Sequence, residues 1–371
     1  MQDGNVDWST VPTCPKLDDF QKYELKYGDI VFARTGATTG KSYLIKSPPK
    51  AVFASYLIRV QTEIEKILPE FLYLFFQSDS YWKVVEAGIS GSAQGGFNAK
   101  KLGNLQIPIP TLPEQKQIVA LLDKAFAAID QAQANIEKNI ENAKELFQSK
   151  LNEIFSHPST SSGQDGDGWE EKSLGEVCEL NQGLAINAKT KHLLVEKSDL
   201  PLLRIKDLKN NTEEQYVSET GYPEKSKVNI GDLIYTRTGS LGLVFRNRQG
   251  ILHNNSFKVE PIPELSKNYL FWWLQHEAFT NIIIGLASKA AQPDITHKLF
   301  KKQIINYPSF EEQERFYDII ENLNLELKNL EEHYNQKHAN LEELKKSILQ
   351  KAFSGELTKQ LIMDNEELIM K

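Results

Sequence analysis

Apolar residues recur at helical spacing in two long stretches of the chain. In residues 118–154 they follow a mostly 4-3-4-3 spacing, which is a heptad pattern with one skip. Residues 316–348 repeat the pattern almost in step, with His338 at the place that Ile140 takes in the first stretch. A helix of about forty residues is about 60 Å long, more than a compact domain needs. We therefore predict two long helices that pair with each other rather than lie along a globular core.

A shorter region with a constant order of elements precedes each long helix. In both regions, stretches of β-branched and apolar residues that are bounded by glycines predict strands. Aromatic-rich segments at residues 71–85 and 269–284 predict one helix each, and their helical spacing indicates core packing rather than a base-stacking surface. Apolar runs that end in proline, at residues 105–110 and 303–308, predict a short strand before each long helix.

The two regions belong to an internal duplication. Residues 28–36 (GDIVFARTG) recur as residues 231–239 (GDLIYTRTG), an offset of 203 residues. From Leu72 and Leu270 onward the offset mostly settles at 198, and identical residues follow it as far as Ser156 and Ser354. One identity at a fixed offset is chance, whereas a collinear series over this length indicates duplication.

The duplication predicts the domain organisation of an α+β chain. We expect a first β-rich domain (residues 1–111), a long helix (112–156), a flexible linker (157–168), a second β-rich domain (169–309), a second long helix (310–357) and a tail (358–371). Because the chain enters a second β-rich domain after the linker, we expect the helices to form an antiparallel coiled coil. Pseudo-two-fold symmetry suits a ligand of two-part geometry, such as duplex DNA with two half-sites.

Charge neither supports nor excludes a nucleic-acid partner. The net charge is −7, but the charges are unevenly distributed. Residues 311–345 contain ten acidic and four basic residues, whereas residues 225–258 contain six basic residues and one acidic residue, Asp232.

The two cysteines, Cys14 and Cys178, lie far apart and fit a reducing compartment. No segment has the composition of a signal peptide or a membrane span, so we expect a cytoplasmic chain without a membrane partner.

We expect no catalytic site and no metal site. Residues 38–42 end in Gly-Lys-Ser, but Thr35 stands where a phosphate-binding loop needs its first glycine. No Asn/Asp-Pro-Pro-aromatic motif of an adenine methyltransferase is present, and the seven histidines have no metal-ligand spacing. Asp294 with Lys298 supplies one carboxylate, which cannot organise metal catalysis.

Several motifs, in this order, resemble Type I restriction-modification specificity subunits. They are Gly-Asp-Ile/Leu with Arg-Thr-Gly, residues 112–119 (LPEQKQIV), residues 173–177 (SLGEV) and residues 351–357 (KAFSGEL). The resemblance covers nearly the whole chain. It implies two target-recognition domains that each read one half of an asymmetric bipartite DNA site. The long helices would then set the gap between the half-sites and dock two methyltransferase subunits.

The resemblance also implies where the chemistry takes place. Adenine methylation and cleavage, with S-adenosylmethionine, ATP and Mg²⁺, belong to the methyltransferase and motor-nuclease restriction subunits. Two alternatives stay open: the specificity subunit of a related system with a fused methyltransferase-nuclease, and a coiled-coil adaptor whose β-rich domains bind protein.

The first half departs from the pattern of that family. Residues 169–206 have no counterpart in it, and Asp3-Gly4-Asn5 aligns near residues 207–209. The first recognition domain is therefore expected to lack its opening strands. A start further upstream, a broken reading frame and a shortened variant would each explain this.

Candidate DNA contacts lie at equivalent places of the two halves. Arg34 and Arg237 each follow the Gly-Asp-Ile/Leu strand of their half. Such an arginine can bond guanine, or it can pair with Asp29 or Asp232 to hold a turn. Because domains that read different sequences share this arginine, a structural or backbone role is favoured over base readout. Polar loops around residues 90–99 and 288–297 can read adenine or cap the core. The candidates are Arg34, Thr35, Lys41, Gln94, Lys100, Arg237, Thr238, Arg246, Lys289, Gln292 and Lys298.

Four residues at the helix starts are candidates for partner docking: Glu114, Gln115, Glu312 and Gln313. The glutamates also fit the positive end of a helix dipole.

Overall fold

The computed structural model describes residues 6–15, 20–90, 96–155, 168–289 and 292–357. The chain divides into two compact units, residues 1–138 with 333–371 and residues 139–332. Each unit contains β-strands and one end of both long helices. We call the β-containing parts, within residues 1–111 and 169–309, the first and second domains.

The first domain is a three-stranded antiparallel sheet with short helices. Its elements, followed by the first long helix, are α1 (Phe20–Tyr23), β1 (Ile30–Ala33), β2 (Ser42–Leu44), β3 (Leu57–Val60), α2 (Pro69–Phe75), α3 (Asp79–Ser90), α4 (Ala99–Gly103) and α5 (Leu112–Phe155). The order of strands in the sheet is β2-β1-β3.

The second domain has more strands. Its elements, followed by the second long helix, are β4 (Glu170–Ser173), α6 (Leu174–Val177), β5 (Cys178–Gln182), β6 (Leu194–Val195), β7 (Leu202–Leu203), α7 (Ile205–Asn210), β8 (Tyr216–Val217), β9 (Lys227–Val228), β10 (Leu233–Thr236), β11 (Val244–Phe245), β12 (Gly250–Leu252), β13 (Ser256–Pro261), α8 (Lys267–Trp273), α9 (Glu277–Ala287), α10 (His297–Lys301), β14 (Ile304–Tyr307) and α11 (Phe310–Ser354). Two short 3₁₀ helices precede β6 and β9 (Lys191–Leu193; Glu224–Ser226).

The main sheets of the two domains have the same arrangement of three strands. The order in the second is β11-β10-β13-β5, so that β1, β2 and β3 correspond to β10, β11 and β13. The strand registers agree: Val31 lies opposite Arg59, and Ile234 lies opposite Lys258. Both of these cations approach the aspartate at the start of the first strand, at 3.8 Å from Asp29 and 3.6 Å from Asp232. The duplication read from the sequence is therefore a structural repeat.

In each unit the long helices pair in opposite directions. In the first unit, Lys345 Nζ lies 3.0 Å from Asp130, and Gln133 donates to Glu342 at 2.6 Å. In the second unit, Lys144 lies 2.9 Å from Glu331. The apolar stripe lies between the helices, and buried members on α5 include Ile118, Leu122 and Ile129. The prediction of an α+β fold with two long antiparallel helices is confirmed.

A buried glutamine lies where each long helix begins. Gln115 accepts a hydrogen bond from Leu68 N at 2.8 Å and donates to Lys66 O and Pro110 O, both at 2.9 Å. Gln313 accepts from Ser266 N at 2.7 Å and donates to Glu264 O at 3.0 Å and Pro308 O at 2.8 Å. Both residues are 0% exposed. The prediction that Gln115 and Gln313 contact a partner is therefore wrong. Each side chain is buried and connects the start of the long helix to the preceding domain.

The aromatic-rich segments each form two helices rather than the single helix that the periodicity predicted. The break between α2 and α3 lies at Ser78, whose hydroxyl donates to Phe75 O at 2.7 Å and accepts from Tyr81 N at 3.3 Å. The corresponding break between α8 and α9 lies at the buried His276. The aromatic side chains pack inside, as predicted: Phe71 contacts Phe353, and Tyr269 contacts Phe155, with ring centroids 5.2 and 5.3 Å apart.

Only the second of the two proline-ended strands forms. β14 pairs with β4, which places Ile305 and Tyr307 in the core. Residues 105–110 are not a strand, so that prediction is wrong. A strand needs a partner for its backbone groups, and the described part of the first domain contains no counterpart of β4.

Candidate nucleic-acid interface

In both domains the arginine turn after the first strand is bonded to the loop before a short helix. Phe97 N donates to Arg34 O at 3.0 Å, and Ile295 N donates to Arg237 O at 2.9 Å. One residue further along the chain, Thr35 forms an isolated antiparallel β-bridge with Gly96, and Thr238 forms one with Asp294. We call each pair of segments, residues 34–36 with 96–100 and residues 237–239 with 292–298, a turn–loop site.

A polar side chain caps the short helix of each turn–loop site. Asn98 accepts a hydrogen bond from Lys101 N at 3.0 Å, and Thr296 accepts one from Leu299 N at 3.1 Å. The caps hold α4 and α10 in the same place of the two domains. Each short helix then presents one exposed candidate lysine, Lys100 or Lys298.

The arginine of the second turn–loop site is engaged inside the protein. Arg237 Nε donates to Asp294 Oδ1 at 2.8 Å, and its Nη2 bonds the second oxygen of the same carboxylate. Its Nη1 donates to the Gln182 side chain on β5 at 3.2 Å. Only 23% of the Arg237 side chain is exposed. Its hydrogen bonds connect the turn at residues 237–239 to the loop at Asp294 and to the edge strand β5.

The equivalent arginine of the first site is exposed. Gly96 stands at the place of Asp294, and the described part of the first domain has no counterpart of β5. Arg34 consequently lacks both acceptors that Arg237 uses. Within the described residues its guanidinium makes no hydrogen bond and no ion pair.

The predicted alternative, an ion pair between each arginine and the aspartate at the strand start, is wrong. Asp29 lies near Arg59, and Asp232 lies near Lys258 and Lys267, the latter at 3.2 Å. The sequence contained the signal for this, because basic residues also stand at equivalent positions 59 and 258 of the repeat.

The remaining candidates differ in their surroundings. Thr35, Lys289 and Gln292 are exposed, whereas Thr238 and Lys41 are half-buried. Gln94 lies outside the described residues. The turn–loop sites thus bring together Arg34, Thr35 and Lys100 in the first domain, and Arg237, Thr238, Gln292 and Lys298 in the second.

Arg246 is not available for a phosphate. It pairs with Glu321 on α11, and its guanidinium lies over the Phe271 ring at 4.1 Å. Trp272 Nε1 donates to the same carboxylate at 3.2 Å. The prediction that Arg246 contacts DNA is therefore wrong, because the residue fastens the second domain to the long helix.

The two glutamates proposed for docking are arranged differently. Glu114 accepts hydrogen bonds from Thr111 Oγ1 at 2.7 Å and from Thr111 N at 2.8 Å, and these bonds lower the pKa of its carboxyl. It therefore caps α5, as expected for an acid at the positive end of a helix. Glu312 is exposed on the first turn of α11.

His297 lies against the second turn–loop site. Its ring packs on Phe257 at 4.9 Å, and its Nε2 is buried without a hydrogen-bond partner in the described residues. Burial lowers the pKa of His297, and the nearby Arg237 and Lys301 lower it further. The side chain is therefore a neutral packing element rather than a cation for DNA.

The described residues form neither a metal-binding cluster nor a membrane-spanning helix. They contain no group of three or more His, Cys, Asp or Glu side chains that could hold a metal ion. None of their helices is long and apolar enough to cross a membrane.

Comparison with known proteins decides the family. A family model described as "Type I restriction modification DNA specificity domain" matches residues 2–142 and 166–342, most of the chain. The chain belongs to this family. Its relatives are specificity subunits, the non-catalytic component of type I restriction enzymes, and this chain is a subunit of that kind.

Two of these relatives are distant in sequence but match most of this chain. The specificity subunit of the EcoKI enzyme of Escherichia coli K12 is 25% identical over all of this chain and 83% of its own length. That of the EcoBI enzyme of Escherichia coli is 24% identical over 86% of this chain and 72% of its own length.

Two solved structures share the fold. A chain from a structure on complex assembly of the type I system has a TM-score of 0.75 and 22% identity, covering 89% of this chain and 82% of its own. The HsdS subunit of Thermoanaerobacter tengcongensis has a TM-score of 0.59 and 21% identity, covering 90% and 82%.

Proposed function

We propose that this specificity subunit binds duplex DNA at an asymmetric bipartite site, with one half-site for each domain. The observation that carries the proposal is the pair of turn–loop sites, which present exposed candidates at equivalent places of a duplicated fold. A duplicated protein with two such surfaces fits a ligand with two half-sites.

The two turn–loop sites would supply different kinds of contact. Arg34 and Lys100 in the first domain, and Lys289 and Lys298 in the second, are exposed cations suited to phosphates. Gln292 is an exposed amide that can bond adenine in the major groove. Phosphate contacts would provide much of the affinity, which should fall with salt, while the loops would choose the sequence.

We further propose that the long helices dock two methyltransferase subunits. The candidate surface is the acidic side of α11, where Glu312, Asp318 and Glu326 are exposed. Motor-nuclease restriction subunits would complete the cytoplasmic enzyme. S-adenosylmethionine, ATP and Mg²⁺ would be bound by these partners, where adenine methylation and cleavage would take place.

Mapping of adenine methylation tests the proposal. Cells that express this chain with its methyltransferase are compared with cells that express the methyltransferase alone. A new split, asymmetric motif is the expected result, because each domain reads its own half. A palindromic motif would mean that only one domain reads and that two copies assemble.

No new methylation, together with absence of sequence-specific DNA binding in the presence of the partners, would overturn the proposal. That result would favour a coiled-coil adaptor that binds protein.

A further inference from the structure

A tight turn at residues 253–256 borders the turn–loop site of the second domain. A backbone hydrogen bond of 3.1 Å joins its last residue to its first. Arg237 N donates to the carbonyl oxygen of Asn255, in the middle of this turn, at 2.9 Å. We call residues 253–256 the asparagine turn, after its central residues Asn254 and Asn255.

The asparagine turn is fixed in place by the end of β5. Gln182 Nε2 donates to Asn254 O at 2.7 Å, and Oε1 of the same side chain accepts from Arg237. Gly183 approaches so closely that an added Cβ would lie 2.3 Å from the carbonyl oxygen of His253. The turn is thus connected through Arg237 to the loop of the same turn–loop site, and both are positioned before a ligand binds.

The turn itself does not require either asparagine. Asparagine is common in turns because it tolerates positive φ or because its side chain bonds nearby backbone. Among the described residues other than glycine, only Asn211 and Asn247 have positive φ. The amide groups of Asn254 and Asn255 are half-buried and make no hydrogen bond within the described residues. The side chain that holds the turn is His253, whose Nδ1 accepts from the backbone N of residue 255 at 3.3 Å.

The first domain has the same turn with different side chains. A backbone hydrogen bond of 2.9 Å joins the ends of residues 54–57, and Arg34 N donates to Tyr56 O at 3.2 Å. At an offset of 199 residues, Ser55 and Tyr56 stand where the second domain has two asparagines. Two domains that read different half-sites need this combination, because a constant backbone positions the protein and variable side chains choose the bases.

We propose that Asn254 and Asn255 are specificity-determining residues that read adenine in the major groove of the half-site bound by the second domain. The inference rests on the DNA-binding function proposed above. An asparagine amide matches the edge of adenine, because it accepts from N6 and donates to N7. Gln292 is exposed on the loop of the same site, so amides from two connected segments face one ligand, a duplex with A·T pairs in this half-site.

Methylation mapping of variants tests the inference in cells that express the methyltransferase with this chain. The chain is supplied as wild type, Asn254→Ala or Asn255→Ala. We expect at least one variant to accept any base pair at a position where the wild-type motif has an A·T pair, with the other half of the motif unchanged. Asn281→Ala is the matched control, since this exposed asparagine lies on α9 and donates to Glu277 of the same helix. It should leave the whole motif unchanged.

DNA binding measures the size of the effect. A duplex with the mapped motif is compared with one in which that A·T pair is replaced by G·C. The wild type should prefer the first duplex by roughly tenfold, as expected for one amide–adenine pair, and the variant should bind both equally. The slope of log K against log salt should not change, because an uncharged amide releases no counterion.

Thermal unfolding distinguishes base reading from a structural role. The unfolding temperature of the alanine variants should equal that of the wild type, because the amides make no hydrogen bond within the described residues. Serine, which suits turns and stands at residue 55 of the first domain, replaces alanine in any variant that unfolds earlier. The methylation and binding measurements are then repeated on the serine variant.

Three outcomes would overturn the inference. The first is a split wild-type motif that stays unchanged in both variants, which would leave the DNA-binding proposal intact. The second is weaker binding to every sequence with a smaller salt slope, which would assign the asparagines to phosphates. The third is a changed motif only in variants that also unfold earlier, serine variants included. A wild-type chain that gives no motif would overturn the DNA-binding proposal, and this inference with it.

Discussion

The first and second domains have the same three central strands but use an equivalent arginine in different ways. Arg237 bonds Asp294 and Gln182 on β5, whereas Gly96 stands at the position of Asp294 in the first domain and Arg34 is exposed. The difference arises from one substitution, Gly96 for Asp294, and from β5, which has no counterpart among the described residues of the first domain. It teaches that a residue shared by both copies of a repeat need not have the same role, because its neighbours decide which bonds it makes.

Both domains contact the long helices through the same kinds of hydrogen bond and aromatic packing. Gln115 and Gln313 make the same three hydrogen bonds to backbone groups, and Phe353 and Phe155 pack on equivalent aromatic residues. The attachment is therefore preserved while the surface proposed to bind DNA has diverged.

The largest expected effect tests this common attachment. Gln313→Leu should lower the free energy of unfolding by about 3 kcal/mol or more, because three buried backbone groups lose their partner. Gln115→Leu should have a similar effect in the first domain. Thermal unfolding and hydrogen exchange of β1 and β10 would measure it.

The exposed neighbour Glu312 provides the control, since Glu312→Gln should change stability by less than about 0.5 kcal/mol. A near-neutral Gln313→Leu would contradict the role of the glutamine as a link between helix and domain.

The second prediction tests the difference between the arginines. Arg237→Met should lower the stability of the second domain by roughly 1–3 kcal/mol, because it leaves the partly buried Asp294 unpaired. Arg34→Met should leave stability unchanged, because the guanidinium has no partner within the described residues. Hydrogen exchange of β10 and β1 would report each domain separately, and equal destabilisation by both variants would refute the comparison.

The third prediction concerns DNA affinity. Arg34→Met should lower affinity for duplex DNA and reduce the slope of log K against log salt by about 1, the value for one phosphate contact. Filter binding or anisotropy over a salt series measures the slope. An unchanged slope would remove Arg34 from the proposed interface.

The fourth prediction would convert the first domain toward the second. Gly96→Asp places a carboxylate where Asp294 lies in the repeat, and we expect it to engage Arg34 and weaken DNA binding a few-fold. The added Cβ would lie 3.1 Å from Arg34 O, so the loop must shift by a few tenths of an ångström. If Arg34→Met and Gly96→Asp weaken binding additively, the two residues act independently and the prediction is wrong.

The fifth and smallest expected effect is a dependence on pH. Burial lowers the pKa of His253, His276 and His297 below 6.5, so the folded second domain resists protonation that the unfolded chain accepts. Its stability should therefore be complete above about pH 6.5 and fall as the pH decreases below that value.

Ser78 and Ala99 replace two of these histidines in the first domain, which should lose less stability in the same range. Unfolding of each domain, followed by hydrogen exchange at pH 7.5 and 5.5, measures the difference. Greater acid sensitivity of the first domain would contradict it.

The sequence by itself determined the features that depend on local pattern. Heptad spacing predicted both long helices, and their antiparallel direction followed from a chain that must enter a second domain. The offsets of 203 and 198 identified the repeat down to residue pairs such as Asp29 and Asp232. These features are readable because helical periodicity and duplication leave a signal at each position.

Only the tertiary structure decided which polar residues are free. Gln115 and Gln313 look like surface residues at a helix start, yet they are enclosed by backbone that lies far away along the chain. Arg246 looks like a phosphate contact, yet Glu321 on α11 engages it. Residues 105–110 have the pattern of a strand, but the described residues contain no strand that pairs with them. In each case hydrogen bonds between residues distant in sequence decide the outcome, and no local pattern records them.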